Sequence, residues 1–104
     1  MNVLTRLEAT VTERLSADPG SSYVASLKAK GLPAIARKLG EEATEAVVAA
    51  LSGTDEELVG EAADVLFHLT VLLAAKGIPL EQVMAELERR EGTSGLDEKA
   101  SRSR

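Results

Sequence analysis

Residues 57–75, "ELVGEAADVLFHLTVLLAA", restrict the fold more than any other part of the chain. Turned at about 100° per residue, Glu57, Glu61, Asp64 and His68 fall within an arc of roughly 60° of one helix. Leu58, Val59, Val65, Leu66, Phe67, Leu69, Val71, Leu72 and Leu73 take most of the remaining circumference. A helix this apolar needs neighbours on several sides. A chain of 104 residues buries only a modest fraction of its own surface, so pooling helices with further copies is the expected remedy. Aromatic residues make up 2% of the chain, which leaves Leu, Val, Ala and Ile to build the core. The expected fold is all-α: a bundle of about four to five helices, completed by homo-oligomerisation.

Local signals divide the chain. A first helix is predicted from about Val3 to Ser16, ending at "ADPGSS". Ser21 or Ser22 can cap "YVASLKAK", which stops at Gly31. A third helix starts near Pro33 and runs to about Leu51. Thr54 and Glu57 form a capping box for the fourth, which continues to about Lys76 with Gly77 as its stop. "GIPLEQVMAELERR" makes a fifth, with Pro79 in its first turn. Residues 1–91 thus read as one domain. Residues 92–104, "GTSGLDEKASRSR", lose apolar periodicity and read as a polar tail that frays.

The third and fourth helices are joined by a few residues around Gly53 and should pair as an antiparallel hairpin. Glu45 lies eight residues before Gly53 and Glu61 eight after it; Glu42 lies eleven before and Asp64 eleven after. Both helices rise about 1.5 Å per residue, so two acidic steps meet at matched heights, with Lys38 and His68 at the next level. A lone E-E-x-x-E, Glu41, Glu42 and Glu45, is usually a solvated face. With E-x-x-D on the partner helix it reads as a shared, partly buried crevice. Ionised carboxylates gathered there are expensive unless protonated or bound to a cation. Oxygen ligands without cysteine, and with one histidine, suit Mg²⁺, with Mn²⁺ as a substitute, over zinc. Such a metal keeps several waters and is completed by substrate phosphates. His68 fits a supporting role, hydrogen-bonding Asp64 one turn back and orienting it. Arg37, Lys28 and Lys30 read first as solvated charges; Lys38, beside the acidic stripe, is the leading phosphate ligand, with Lys30 behind it. Tyr23 could stack on a base or simply pack.

A net charge of −5 argues against nucleic acid as a partner. The absence of cysteine excludes disulfides and thiol chemistry. The N-terminal stretch lacks the apolar run of a signal peptide, and "DVLFHLTVLLAAKG", interrupted by His68, is short for a membrane span. A cytoplasmic enzyme or binding module is the default.

The run "SYVASLKAKGLPAIARKLGEEATEAVVAAL", with "DEELVGEAADVLFHLTVLLAAKGI" and "LEQVMAELERR", resembles the phosphoribosyl-ATP pyrophosphatases of histidine biosynthesis. The E-E-x-x-E…E-x-x-D pattern belongs to the wider MazG-like all-α nucleotide pyrophosphohydrolases. Phe67 departs from the family, where tyrosine often precedes the histidine. The resemblance implies Mg²⁺-dependent hydrolysis of the α–β phosphoanhydride of phosphoribosyl-ATP, giving phosphoribosyl-AMP and pyrophosphate, in a homodimer or higher oligomer. Glu41, Glu42, Glu45, Glu61 and Asp64 match its acidic motif. On this reading Glu42, Glu45, Glu61 and Asp64 hold metal, Glu41 or Glu45 takes a proton from water, and Lys38 and Lys30 meet phosphate oxygens. Two other readings remain: a MazG-like enzyme for ordinary or damaged nucleoside triphosphates, and a non-catalytic helical oligomer.

Overall fold

The computed structural model describes residues 2–92 and 94–102, with the Glu98 side chain left out. Six helices follow one another: α1 (Val3–Arg14), α2 (Tyr23–Lys30), α3 (Leu32–Ser52), α4 (Asp55–Ala75), α5 (Leu80–Arg89) and α6 (Gly95–Arg102). Among the described residues there is no strand. The fold is all-α, as the sequence pattern predicts.

The ends are fixed by local chemistry. Ser22 caps α2 by accepting from the Ala25 N–H at 3.2 Å. At α4 the capping box closes in both directions: the Glu57 N–H donates to Thr54 Oγ1 at 3.1 Å, and the Thr54 N–H to Glu57 Oε1 at 2.8 Å. Gly77, at φ +72, ends α4. Its N–H bonds the Ala74 carbonyl while the Ile78 N–H reaches back to Leu73, a Schellman arrangement. Gly53 serves differently, since a Cβ there would sit 3.0 Å from the Ala49 carbonyl oxygen and 3.2 Å from Glu57 Oε1. A side chain at this tight exit from α3 would press on both neighbours.

With so short a link, α3 and α4 pack as the antiparallel hairpin that dominates the molecule, with α1 against α4 and α2 against α3. Val11, Val24, Leu27, Ile35 and Val71 form the core, with Leu7, Leu15, Phe67, Leu72 and Ala74 packed around it. Each large aliphatic side chain fully withdrawn from water contributes about 1.5–3 kcal/mol. The start of α5 is held from a distance: the Leu80 N–H donates to Glu8 Oε2 of α1 at 2.6 Å.

Two features of the fold add to the sequence reading. Within the predicted polar tail, the segment from Gly95 to Arg102 is helical: Ser94 Oγ accepts from the Asp97 N–H at 3.0 Å and starts a turn that needs no apolar face. The central helix α4 is not enclosed on several sides by its own chain. Val59 is 70% exposed, and Val47, Val48, Leu51 and Leu66 also face outward. The radius of gyration, 15.7 Å, exceeds the roughly 13 Å of a compact domain this size. By length and composition alone α4, with a mean hydropathy of 1.7 over 18 residues, is long and apolar enough to cross a membrane, a test that the core helix of a soluble bundle also passes. In this fold it is the middle of the bundle, with Glu57, Glu61 and Asp64 along one side.

Candidate active site and metal centre

Glu42 sits on the face of α3 that looks onto α4 and is 6% exposed. One turn later comes Glu45, and Glu61 faces both from α4. One oxygen from each of these three carboxylates lies within 4.8 Å of the others. Glu61 Oε2 is buried and has no hydrogen-bond partner. Burial first, then the charges of Glu45, Asp64, Glu42 and Glu57, push the Glu61 carboxyl above its ordinary value. The cation at hand is Lys38, whose Nζ lies 3.3 Å from Glu42 Oε1 and 3.9 Å from Glu41 Oε1. Its hydrogen bond to Glu42 is the main reason the ammonium is held above its usual value. One ammonium against three converging carboxylates leaves the group short of positive charge.

The other predicted residues are distributed around this centre. Asp64 is exposed and lies outside the converging set. Three residues advance about 300°, so it stands some 60° around α4 from Glu61, on the solvent side. Glu41 also faces outward, onto a separate cleft of about 280 Å³ between α2 and α3 that Lys30, Arg37, Lys38 and Tyr23 line with it. A second groove, about 360 Å³, follows the hairpin from Glu45 and Glu61 past Val48 and Ala49 to Gly53.

His68 does not meet the Asp64 carboxylate. It is 5% exposed, and its Nδ1 lies 2.8 Å from the Asp64 main-chain carbonyl, which can only accept, so Nδ1 carries the proton. In the neutral ring Nε2 then accepts from the Tyr23 hydroxyl, 3.0 Å away. The buried ring takes the i−4 carbonyl, and Asp64 itself is exposed. Tyr23 also stacks on Phe67 with ring centroids 6.1 Å apart. The tie from α2 to α4 through Tyr23 and His68 was not read from sequence. Arg37 was passed over as a solvated charge, although Ala34, Arg37, Lys38 and Glu41 recur at helical spacing and so announce one shared face.

A helical hairpin that turns three carboxylates toward one another, one of them with a buried and unpartnered oxygen, defines an all-α protein with an acidic centre whose donors are the hard oxygens that divalent cations take. Comparison with known proteins narrows the class. Residues 4–91 match the family model described as phosphoribosyl-ATP pyrophosphohydrolase. The chain is 70% identical to the phosphoribosyl-ATP pyrophosphatase of Erythrobacter litoralis over 102 residues, covering 98% of each. It is 65% identical over 101 residues to the protein of the same name from Novosphingobium aromaticivorans, covering 97% of this chain and 94% of that one. The protein from Rhizorhabdus wittichii, again with that name, is 62% identical over 99 residues, covering 95% and 93%. The chain belongs to the phosphoribosyl-ATP pyrophosphohydrolase family, and it is a hydrolase.

Proposed function

We propose that the protein hydrolyses the α–β phosphoanhydride of phosphoribosyl-ATP, releasing phosphoribosyl-AMP and pyrophosphate, as a Mg²⁺-dependent cytoplasmic enzyme of histidine biosynthesis. The observation that carries the metal requirement is the buried, unpartnered Glu61 Oε2 facing Glu42 and Glu45. The substrate assignment draws on the near full-length similarity to proteins of that name.

Glu42, Glu45 and Glu61 would hold Mg²⁺, with Asp64 joining from the edge of the same stripe. When bound, the ion would supply charge neutralisation for the phosphates and acidify water for attack. Glu42, anchored in the hairpin, sets the position of the group. Glu41 and Glu45, the exposed glutamates beside this centre, are the candidates to take the attacking water's proton. Lys38, released from Glu42, turns its ammonium to phosphate oxygens. His68 keeps clear of the reacting atoms and fixes Tyr23 against α4. The outward apolar side chains Val47, Val48, Leu51, Val59 and Leu66 are read as the seam of a homodimer, whose mass in solution light scattering would measure.

Purified protein given phosphoribosyl-ATP or ATP, with and without Mg²⁺, tests the reading. Pyrophosphate should appear from phosphoribosyl-ATP only when the metal is present. No release at saturating Mg²⁺ would refute it.

A further inference from the structure

We infer that the cleft between α2 and α3 is a second phosphate site, in which Lys30 and Arg37 hold the lone 5′-phosphate of the substrate's added ribose. The inference rests on the functional reading above and adds to it the means of telling the substrate from ATP.

The cleft, about 280 Å³, is lined by Tyr23, Leu27, Lys30, Arg37, Lys38 and Glu41. In a chain of net charge −5 it gathers three cations against one carboxylate. Lys38 is engaged with Glu41 and Glu42. Among the described residues neither Lys30 nor Arg37 has a carboxylate within 4.0 Å. Two unpaired cations converging on a cavity suit an anion, and a phosphate monoester carries about −1.5 to −2 near neutral pH and accepts a guanidinium through two oxygens. The first turn of α3, which enters the same cleft at Ala34, contains no acidic residue to repel an anion there.

The position separates this anion from the triphosphate. On α3, Arg37 stands about 140° around the helix from Glu42, with Lys38 and Glu41 between them. The triphosphate belongs with the acidic centre and Lys38. A phosphate on the far side of Lys38 must therefore come from the other end of the substrate. Tyr23, held by His68 and stacked on Phe67, gives the ribose a fixed wall.

The test uses the full chain, ¹⁵N-labelled, titrated with ribose 5-phosphate and separately with inorganic pyrophosphate, in wild type, Lys30→Ala and Arg37→Ala. Circular dichroism checks that each variant is folded. Ribose 5-phosphate should shift the amides around Tyr23 to Lys38, and each substitution should weaken it about tenfold, the loss expected for one charge-assisted hydrogen bond. In turnover, Arg37→Ala should raise KM for phosphoribosyl-ATP by a similar factor with kcat changed less than about twofold, while ATP inhibits the variant and the wild type equally. Ribose 5-phosphate binding untouched by both substitutions, or pyrophosphate as the ligand of these amides, overturns the assignment. So does an ATP inhibition constant that moves in parallel with KM. If the wild type does not hydrolyse phosphoribosyl-ATP, the functional reading fails, and the ribose 5-phosphate titration alone decides the cleft.

Discussion

Removing one oxygen, Tyr23→Phe, tests the tie between α2 and α4. The Tyr23 hydroxyl lies 3.0 Å from His68 Nε2, on a ring that is 5% exposed and whose Nδ1 already donates to the Asp64 carbonyl. Phenylalanine keeps the stack on Phe67 but leaves Nε2 without its donor. A buried polar group stripped of its partner costs about 1–3 kcal/mol. Water can reach the half-exposed Tyr23 side, so the lower part of that range, about 1–2 kcal/mol, is the expected loss. For a domain of this size that lowers Tm by about 4–15 °C, read from thermal unfolding by circular dichroism. The cost should largely disappear in Tyr23→Phe with His68→Leu, because replacing both partners by apolar groups leaves nothing unsatisfied. A single variant as stable as the wild type, or a double variant worse than the sum of the two singles, would refute the reasoning.

Other outcomes follow from the same geometry. Mg²⁺ at about 100 times its dissociation constant should stabilise the wild type by about 2.7 kcal/mol. Glu42→Gln should abolish both that rise in Tm and the turnover while the far-ultraviolet spectrum stays helical; a normal metal response would remove Glu42 from the ligand set. Gly53→Ala should destabilise, since its Cβ would press on the Ala49 carbonyl. Gly40→Ala, mid-helix with nothing within 4 Å of the new methyl, should stabilise by up to about 1 kcal/mol, and chemical denaturation distinguishes the two. Glu86, held down to about 2 chiefly by hydrogen bonds from Arg89 and Arg90, stabilises the fold above the ordinary carboxyl value of 4.5. That stabilisation is lost as the pH falls from 4.5 toward 2, and Glu86→Gln should lack this part of the acid transition.

What could be read in advance was local or periodic. Thr54 and Glu57 announce the start of α4 because a capping box is complete within four residues, and Gly77 announces its end for the same reason. The facing of Glu45 and Glu61 follows from counting outward from Gly53, since helical rise is uniform. Asp64 escaped that counting, because height says nothing of which way a side chain leans. The partner of His68 lies 45 residues away on α2, and no pattern within α4 points to it. The final helix α6 has no apolar stripe to betray it, and its one signal was Ser94 as a cap. That α4 needs neighbours was legible, because periodicity describes the demand for them; which of its residues one chain leaves exposed was not.

The bond from the Leu80 amide to Glu8 joins groups 72 residues apart. Closing so long a stretch of chain is slow to be rewarded, so this clasp belongs on the native side of the folding barrier. Its strength then governs how quickly the folded chain lets go and hardly how fast it assembles. Glu8 is in this sense a latch on the lifetime of the native state, and its loss would appear in the unfolding arm of a chevron plot while the refolding arm stays where it was.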